Sequence, residues 1–263
     1  MTPVEISEGA GPVIFAQPHI GTDIPAHIKA RLNETGLAIA DTDWRVDRLY
    51  DGLLDDATVV RARFSRYVID LNRDPAGDSL YPGQATTDLC PLTDFDGNSI
   101  YCGGAEPDAN EIAERVEAYH APYHAALATQ IERVKARCGV VLLYDCHSIR
   151  SEIPRLFEGR LPVFNIGTFD GECCAPALAE EAVSICEAAR PGEAILDGPF
   201  KGGWTTRRYG RPVESVHAIQ MELAQRAYMQ ERPPWIYDEA RAGALRKTLG
   251  EVLHALRRRV QTL

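Results

Sequence analysis

Two histidines in this chain each follow a short apolar run: His19 comes after Pro12 to Gln17, and His147 comes after Val140 to Tyr144 in the string Asp145, Cys146, His147, Ser148. Such runs read as strands buried on both faces, and α/β proteins bind ligands at the carboxyl ends of their strands. Imidazoles at two strand ends of one sheet can converge on one point and hold a divalent transition metal, although one histidine alone after a strand is more often a hydrogen-bonded loop residue than a ligand. A carboxylate appears in a third apolar run. Glu222 shares a face with Val216, Ala218 and Gln220 in an alternating stretch, and a Glu so placed is costly unless it is paired or used. Guanidiniums gather nearby in sequence: Arg150 and Arg155 after His147, and Arg73 beside Asn72 at the end of Thr58 to Leu71. Lys201, Arg207, Arg208 and Arg211 crowd the Gly-rich turn Pro199 to Pro212. Read alone, that turn is a solvated basic loop, since the spacing of a phosphate loop is missing.

The elements that must carry these groups follow from periodicity. Pro12 to Gln17, Val140 to Tyr144, Val163 to Phe169 and the stretch from Val216 to Leu223 are strand candidates, and Thr58 to Leu71 alternates as one or two strands. Asp145 to His147 are expected just where their strand leaves the sheet. Ala109 to Arg137 is a long amphipathic helix or two, with Ile112, Val116, Tyr119, Tyr123 and Leu127 at helical spacing. His120 and His124 lie four apart on it. Without the Glu of an HExxH pair they read as surface or interhelix residues. Ala175 to Ala189 and Asp238 to Leu263 are further helices. Most of Asp41, Asp43, Asp47 and Asp51 read as a capped helix start. Residues 75–108 have little periodicity and are long for a loop, which makes them a candidate active-site lid. There are no repeats and no obvious linker, so residues 1–263 are expected to form a single domain.

Composition excludes several classes. With 45% hydrophobic and 25% charged residues among 263, the chain is of ordinary globular type. Its 28 basic against 38 acidic residues give a formal charge of -10, which argues against a nucleic-acid surface. An anionic small substrate would need a local arginine pocket. No apolar run approaches a membrane span, and the first residues do not read as a secretory signal. Seven scattered cysteines without a CxxC pair fit a reduced compartment. A cytoplasmic location is therefore expected.

Six segments in order, PHIGT, DTDW, SRYVIDLNR, DCHSIRS with PRLFEGRLP, KGGWTTRRYG and VHAIQMELAQ, resemble the N-formylglutamate amidohydrolase family over almost the whole chain. The resemblance implies hydrolysis of N-formyl-L-glutamate to formate and L-glutamate in histidine degradation. It also implies a single metal-dependent amidohydrolase domain with a three-layer α/β/α fold around a central mixed sheet, of the phosphorylase/hydrolase-like type seen in zinc carboxypeptidases and aspartoacylases. His147 and His19 would be zinc ligands. The carboxypeptidase HxxE motif is broken by Thr22, so the third ligand is assigned to Asp43 of DTDW, with Trp44 shielding the site and Asp23 and Asp47 as alternatives. Zinc would leave one position for water, with cobalt, iron or manganese also compatible. Glu222 would be the general base. Asn72 and Arg73 resemble the pair that holds a terminal carboxylate, and Arg150 and Arg207 are expected to clamp the second carboxylate. His217, on the opposite face of its strand from Glu222, would be structural.

Two other readings fit parts of the pattern. One is a related metal amidohydrolase for another N-acyl amino acid, separable by its need for an acyl pocket. The other is a non-catalytic protein that binds acidic amino acids through its arginines without metal. A nucleotide-binding domain fits least, because neither GxGxxG nor a P-loop is present.

Overall fold

The structure, a computed structural model, describes residues 2–77 and 87–263. Among them, seven strands form one sheet: β1 (Val4–Ser7), β2 (Val13–Gln17), β3 (Thr58–Ala62), β4 (Val141–Ile149), β5 (Phe164–Gly167), β6 (Ala194–Leu196) and β7 (Val216–Ala224). Their order across the sheet is β1-β3-β2-β4-β7-β5-β6. The central four, β3, β2, β4 and β7, are mutually parallel. β1 runs antiparallel to β3 and β5 antiparallel to β7, which makes the sheet mixed.

Helices cover both faces. In chain order they are α1 (Ala26–Lys29), α2 (Glu34–Ala38), α3 (Val46–Tyr50), α4 (Ala109–Arg115), α5 (Ala121–Cys138), α6 (Pro176–Ala189), α7 (Trp204–Tyr209) and α8 (Glu239–Val260). The period of two along each strand sorts the core into two layers. Val13, Phe15, Leu142, Tyr144, Ile219 and Met221 pack with Leu49 of α3, Leu178 of α6 and Leu249 of α8. Ile14, Ala16, Leu143, Val216 and Ala218 pack with Tyr123, Leu127 and Ile131 of α5. The α/β/α layering around a mixed sheet is thus as expected. No helix among the described residues is long and apolar enough to cross a membrane.

Two expectations change. Asp145 to Ser148 do not follow a strand but lie inside one, because β7 pairs with β4 all the way to Ile149↔Ala224. The strand from Thr58 ends at Ala62, not Leu71. The backbone then turns, with Val68 N donating to Ser65 O at 2.9 Å, since buried Arg66 must reach Asp70 four residues on. Of the two readings of His120 and His124, surface or interhelix, the second holds: both are buried, against Trp204 of α7. Of residues 75–108, the portion 78–86 lies outside the described residues. In the described remainder, Ile100 and Tyr101 are buried against Leu32 and Tyr67, whereas 75–77 and 102–104 are exposed.

Candidate active site

The parallel register of β4 and β7 places Asp145 beside Gln220 and His147 beside Glu222. Alternation then aims these four side chains to the α5 side of the sheet, beyond the last apolar layer. His19 arrives from the turn after β2, the other neighbour of β4. Asp43 is tied to that turn by its own amide, which donates to His19 O at 3.0 Å. One cavity is lined by His19, Asp43, His147 and Glu222, by Arg66, Asn72, Arg73 and Gln220, and on its other wall by Phe95, Ile149, Leu156, Pro199 and Phe200.

His19, Asp43 and His147 are all buried, and their ligand atoms lie within 4.8 Å of one another. Asp43 Oδ2 stands 3.1 Å from His147 Nδ1 and 3.8 Å from His19 Nδ1. The far nitrogens meet carboxylates: His19 Nε2 bonds Asp70 Oδ1 at 2.7 Å, and His147 Nε2 lies 3.1 Å from Asp145 Oδ1, off the line of a well-formed hydrogen bond. A histidine that ligates a metal commonly gives its second ring N–H to a carboxylate, which fixes the tautomer and raises its basicity. Two imidazoles so oriented plus one carboxylate are a donor set of the kind that holds zinc in hydrolytic sites, so the residues fit a divalent metal.

The electrostatics match this frame. Burial and the Arg66 charge lower His19, against the pull of Asp70 and Asp43. Burial alone would also lower His147, but Asp145 and Asp43 hold it well above its ordinary value. Burial would raise Asp70, yet Arg66 and His19 keep it well below the usual carboxylate range. Glu222 is different: desolvation pushes it up to about 8, and its side chain accepts one hydrogen bond, from Gln220 Nε2 at 3.1 Å.

Asn72 and Arg73 line the cavity, the Asn72 amide nitrogen 3.3 Å from His147 Nε2. Asn72 Oδ1 accepts from Thr205 N at 2.8 Å, and a Cβ on Gly203 would sit 2.1 Å from the Asn72 amide nitrogen, so glycine is required there for the close approach. Arg150 and Arg207 are not in the described lining. Arg150 pairs with Asp96 at 2.9 Å, while Arg207 lies over the Phe169 ring and donates to Gly202 O at 2.9 Å. Asp23, beside Arg63, and exposed Asp47 lie apart from the metal-ligand group. Trp44 does not cover the cavity but stacks on Trp235. His217 Nδ1 accepts from Ala175 N at 3.2 Å.

Arg66 was not singled out by the sequence reading. Its guanidinium lines the cavity, bonded to Asp70 Oδ2 at 2.5 Å and 3.8 Å from Asp43 Oδ1. The signal for it is its i,i+4 spacing from Asp70 in SRYVIDLNR, masked by an apolar and basic alternation that imitates a strand.

Residues 11–229 match the family model described as N-formylglutamate amidohydrolase. The chain belongs to that family. It is 43% identical over 254 residues to the N-formylglutamate deformylase of Pseudomonas aeruginosa, covering 96% of this chain and 95% of that one. It is 42% identical over 250 residues to the N-formylglutamate deformylase of Pseudomonas putida, covering 95% and 93%. The fold is shared with N-formylglutamate amidohydrolase from Ralstonia eutropha JMP134, at TM-score 0.81 and 23% identity over 100% of this chain and 99% of that one. A protein of Agrobacterium tumefaciens has the same fold, at TM-score 0.73 and 20% identity over 97% and 95%.

Proposed function

We propose that this chain hydrolyses N-formyl-L-glutamate to formate and L-glutamate, using a zinc ion held by His19, Asp43 and His147. The observation that carries this reading is the buried Glu222 standing in one cavity with that donor set, in a chain 43% identical to a deformylase over 96% of its length. Bound zinc supplies positive charge that acidifies water and polarises a carbonyl. Glu222 takes a proton from the attacking water and returns it to the amine nitrogen as the C–N bond of the formamide breaks. Burial raises its carboxyl to about 8, so the ionised group is a competent base toward the water and, once it carries the proton, a ready donor to the leaving amine. Arg66 turns its charge toward the same space, where the developing oxyanion needs a cation. Asn72 and Arg73 hold one carboxylate of the substrate; the positions of Arg150 and Arg207 outside the described lining do not support the second clamp expected of them.

The test is formate release from N-formyl-L-glutamate by purified protein, before and after chelation and with zinc restored. Turnover that vanishes with the metal and returns with it supports the reading. A metal-loaded protein that leaves N-formyl-L-glutamate intact but cleaves N-acetyl-L-glutamate sinks the substrate assignment.

A further inference from the structure

The histidine pair on the long helix, without a role in the chemistry above, meets the backbone of the substrate-recognition segment. His124 Nε2 donates to Leu71 O at 2.8 Å, and His120 Nε2 donates to Arg73 O at 3.0 Å. These carbonyls flank Asn72, whose own carbonyl accepts from Trp204 N at 3.4 Å. The indole of Trp204 packs on both imidazoles, with centroids 5.3 Å from His120 and 4.6 Å from His124. The Tyr209 hydroxyl lies 3.2 Å from His124 Nδ1. The helix is built for this contact. Pro122 cannot donate a backbone hydrogen bond, and just before it the helix opens into a π turn, Val116–His120, closed by Ala121 N on Val116 O. Such turns recur at functional positions.

We propose that His120 and His124 are positioning residues for substrate recognition, clamping the carbonyls on either side of Asn72 so that Asn72 and Arg73 present their side chains to a substrate carboxylate. The inference rests on the reading of Asn72 and Arg73 as carboxylate-binding. Neither histidine touches the metal-ligand group, so metal retention is not expected to depend on them. Burial lowers both, His124 to about 3, so both stay neutral with one N–H to donate.

The experiment compares His120→Phe, which keeps the ring and loses the donor, with His120→Gln, whose amide can donate from nearly the same place. His124→Phe and His124→Gln repeat the comparison at the second position, and Arg73→Gln completes a double-mutant cycle with His120→Phe. Zinc content and thermal melting are measured for each. The expected result for the Phe variants is KM for N-formyl-L-glutamate raised about tenfold with kcat within about twofold of wild type, and largely restored by Gln. In the cycle, His120→Phe should add little to Arg73→Gln. Equal KM in the Phe variants and wild type, or a loss in kcat at constant KM, overturns the inference while Arg73→Gln still raises KM. An unchanged KM in Arg73→Gln instead overturns the carboxylate reading. If a Phe variant does not fold, the Gln variant at that position decides: a tenfold rise in KM despite its donor counts against the clamp, and a near-normal KM supports it.

Discussion

The two halves of β4 are equally buried and paired to the same strand, yet they do opposite things. Val141 to Tyr144 place apolar side chains in both core layers, and each fully buried aliphatic group there stabilises the fold by roughly 1.5–3 kcal/mol. Asp145 and His147, two and four residues further along the face of Leu143, bury charge and hydrogen-bonding groups instead. Burial of that kind is unfavourable unless partners compensate, and here the partners lie around the cavity: Asp43 Oδ2 stands 3.1 Å and Asp145 Oδ1 3.1 Å from the two ring nitrogens of His147, and the Thr206 hydroxyl donates to Asp145 Oδ2 at 3.3 Å. The first half exists for the fold. The second uses the rigidity of the first to hold groups that would not otherwise stay together.

This contrast can be broken from either side. The largest expected effect is on chemistry. Glu222→Gln should lower kcat by about 10²–10⁴-fold, the usual weight of a general acid–base group, with zinc content unchanged; near-normal turnover at full zinc would falsify the role. On the apolar half, Leu143→Ala should cost about 2–5 kcal/mol of stability, read from denaturant titration, while the metal-loaded folded protein keeps its kcat. A comparable loss of kcat there would mean that the two halves are not separable.

Asp70→Asn sharpens the claim that buried carboxylates orient the histidines. It should weaken zinc binding by about 10–100-fold, measured by competition with a chromophoric chelator, and unaltered affinity would remove Asp70 from that role. A smaller effect concerns pH. His124 is depressed to about 3 in the folded protein, so the unfolded chain takes up its proton first as pH falls. Its contribution is fully present above about pH 6.5 and is lost as pH falls from there toward 3, at no more than about 1.4 kcal/mol per pH unit. Urea titrations across that range should be flatter for His124→Gln, and parallel curves would count against the assignment. The smallest change is expected from Arg150→Ala. With its guanidinium on Asp96, its loss should leave KM within about twofold of wild type, whereas a large rise would restore it to the substrate clamp.

Much of the site was legible because it rides on strands with clear periodicity. Glu222 is marked by its place in an alternating strand and His147 by the apolar run before it, while family resemblance supplies Asp43, Asn72 and Arg73. Residues on irregular backbone were harder to read. Arg66 and Asp70 sit in a turn whose apolar and basic alternation imitates a strand, and local pattern cannot tell a buried arginine that pairs four residues on from one that faces solvent. Arg150 and Arg207 were hard to place for the opposite reason: charge near a site in sequence says nothing about which way a long side chain turns, and here Arg150 meets Asp96 and Arg207 the Phe169 ring, both from distant segments.

The sequence by itself determined the α/β class, the central strands and long helices, and the chemical types available, because hydrophobic period and residue identity are local properties, while the edge strands Val4–Ser7 and Ala194–Leu196 left no such period. Only the tertiary structure decided which groups meet. The register of β4 on β7, the turn that brings Asp43 to His19, and the helix that lays two histidines against the backbone around Asn72 all depend on contacts between residues far apart in the chain. Those contacts are selected by packing both faces of one sheet at once.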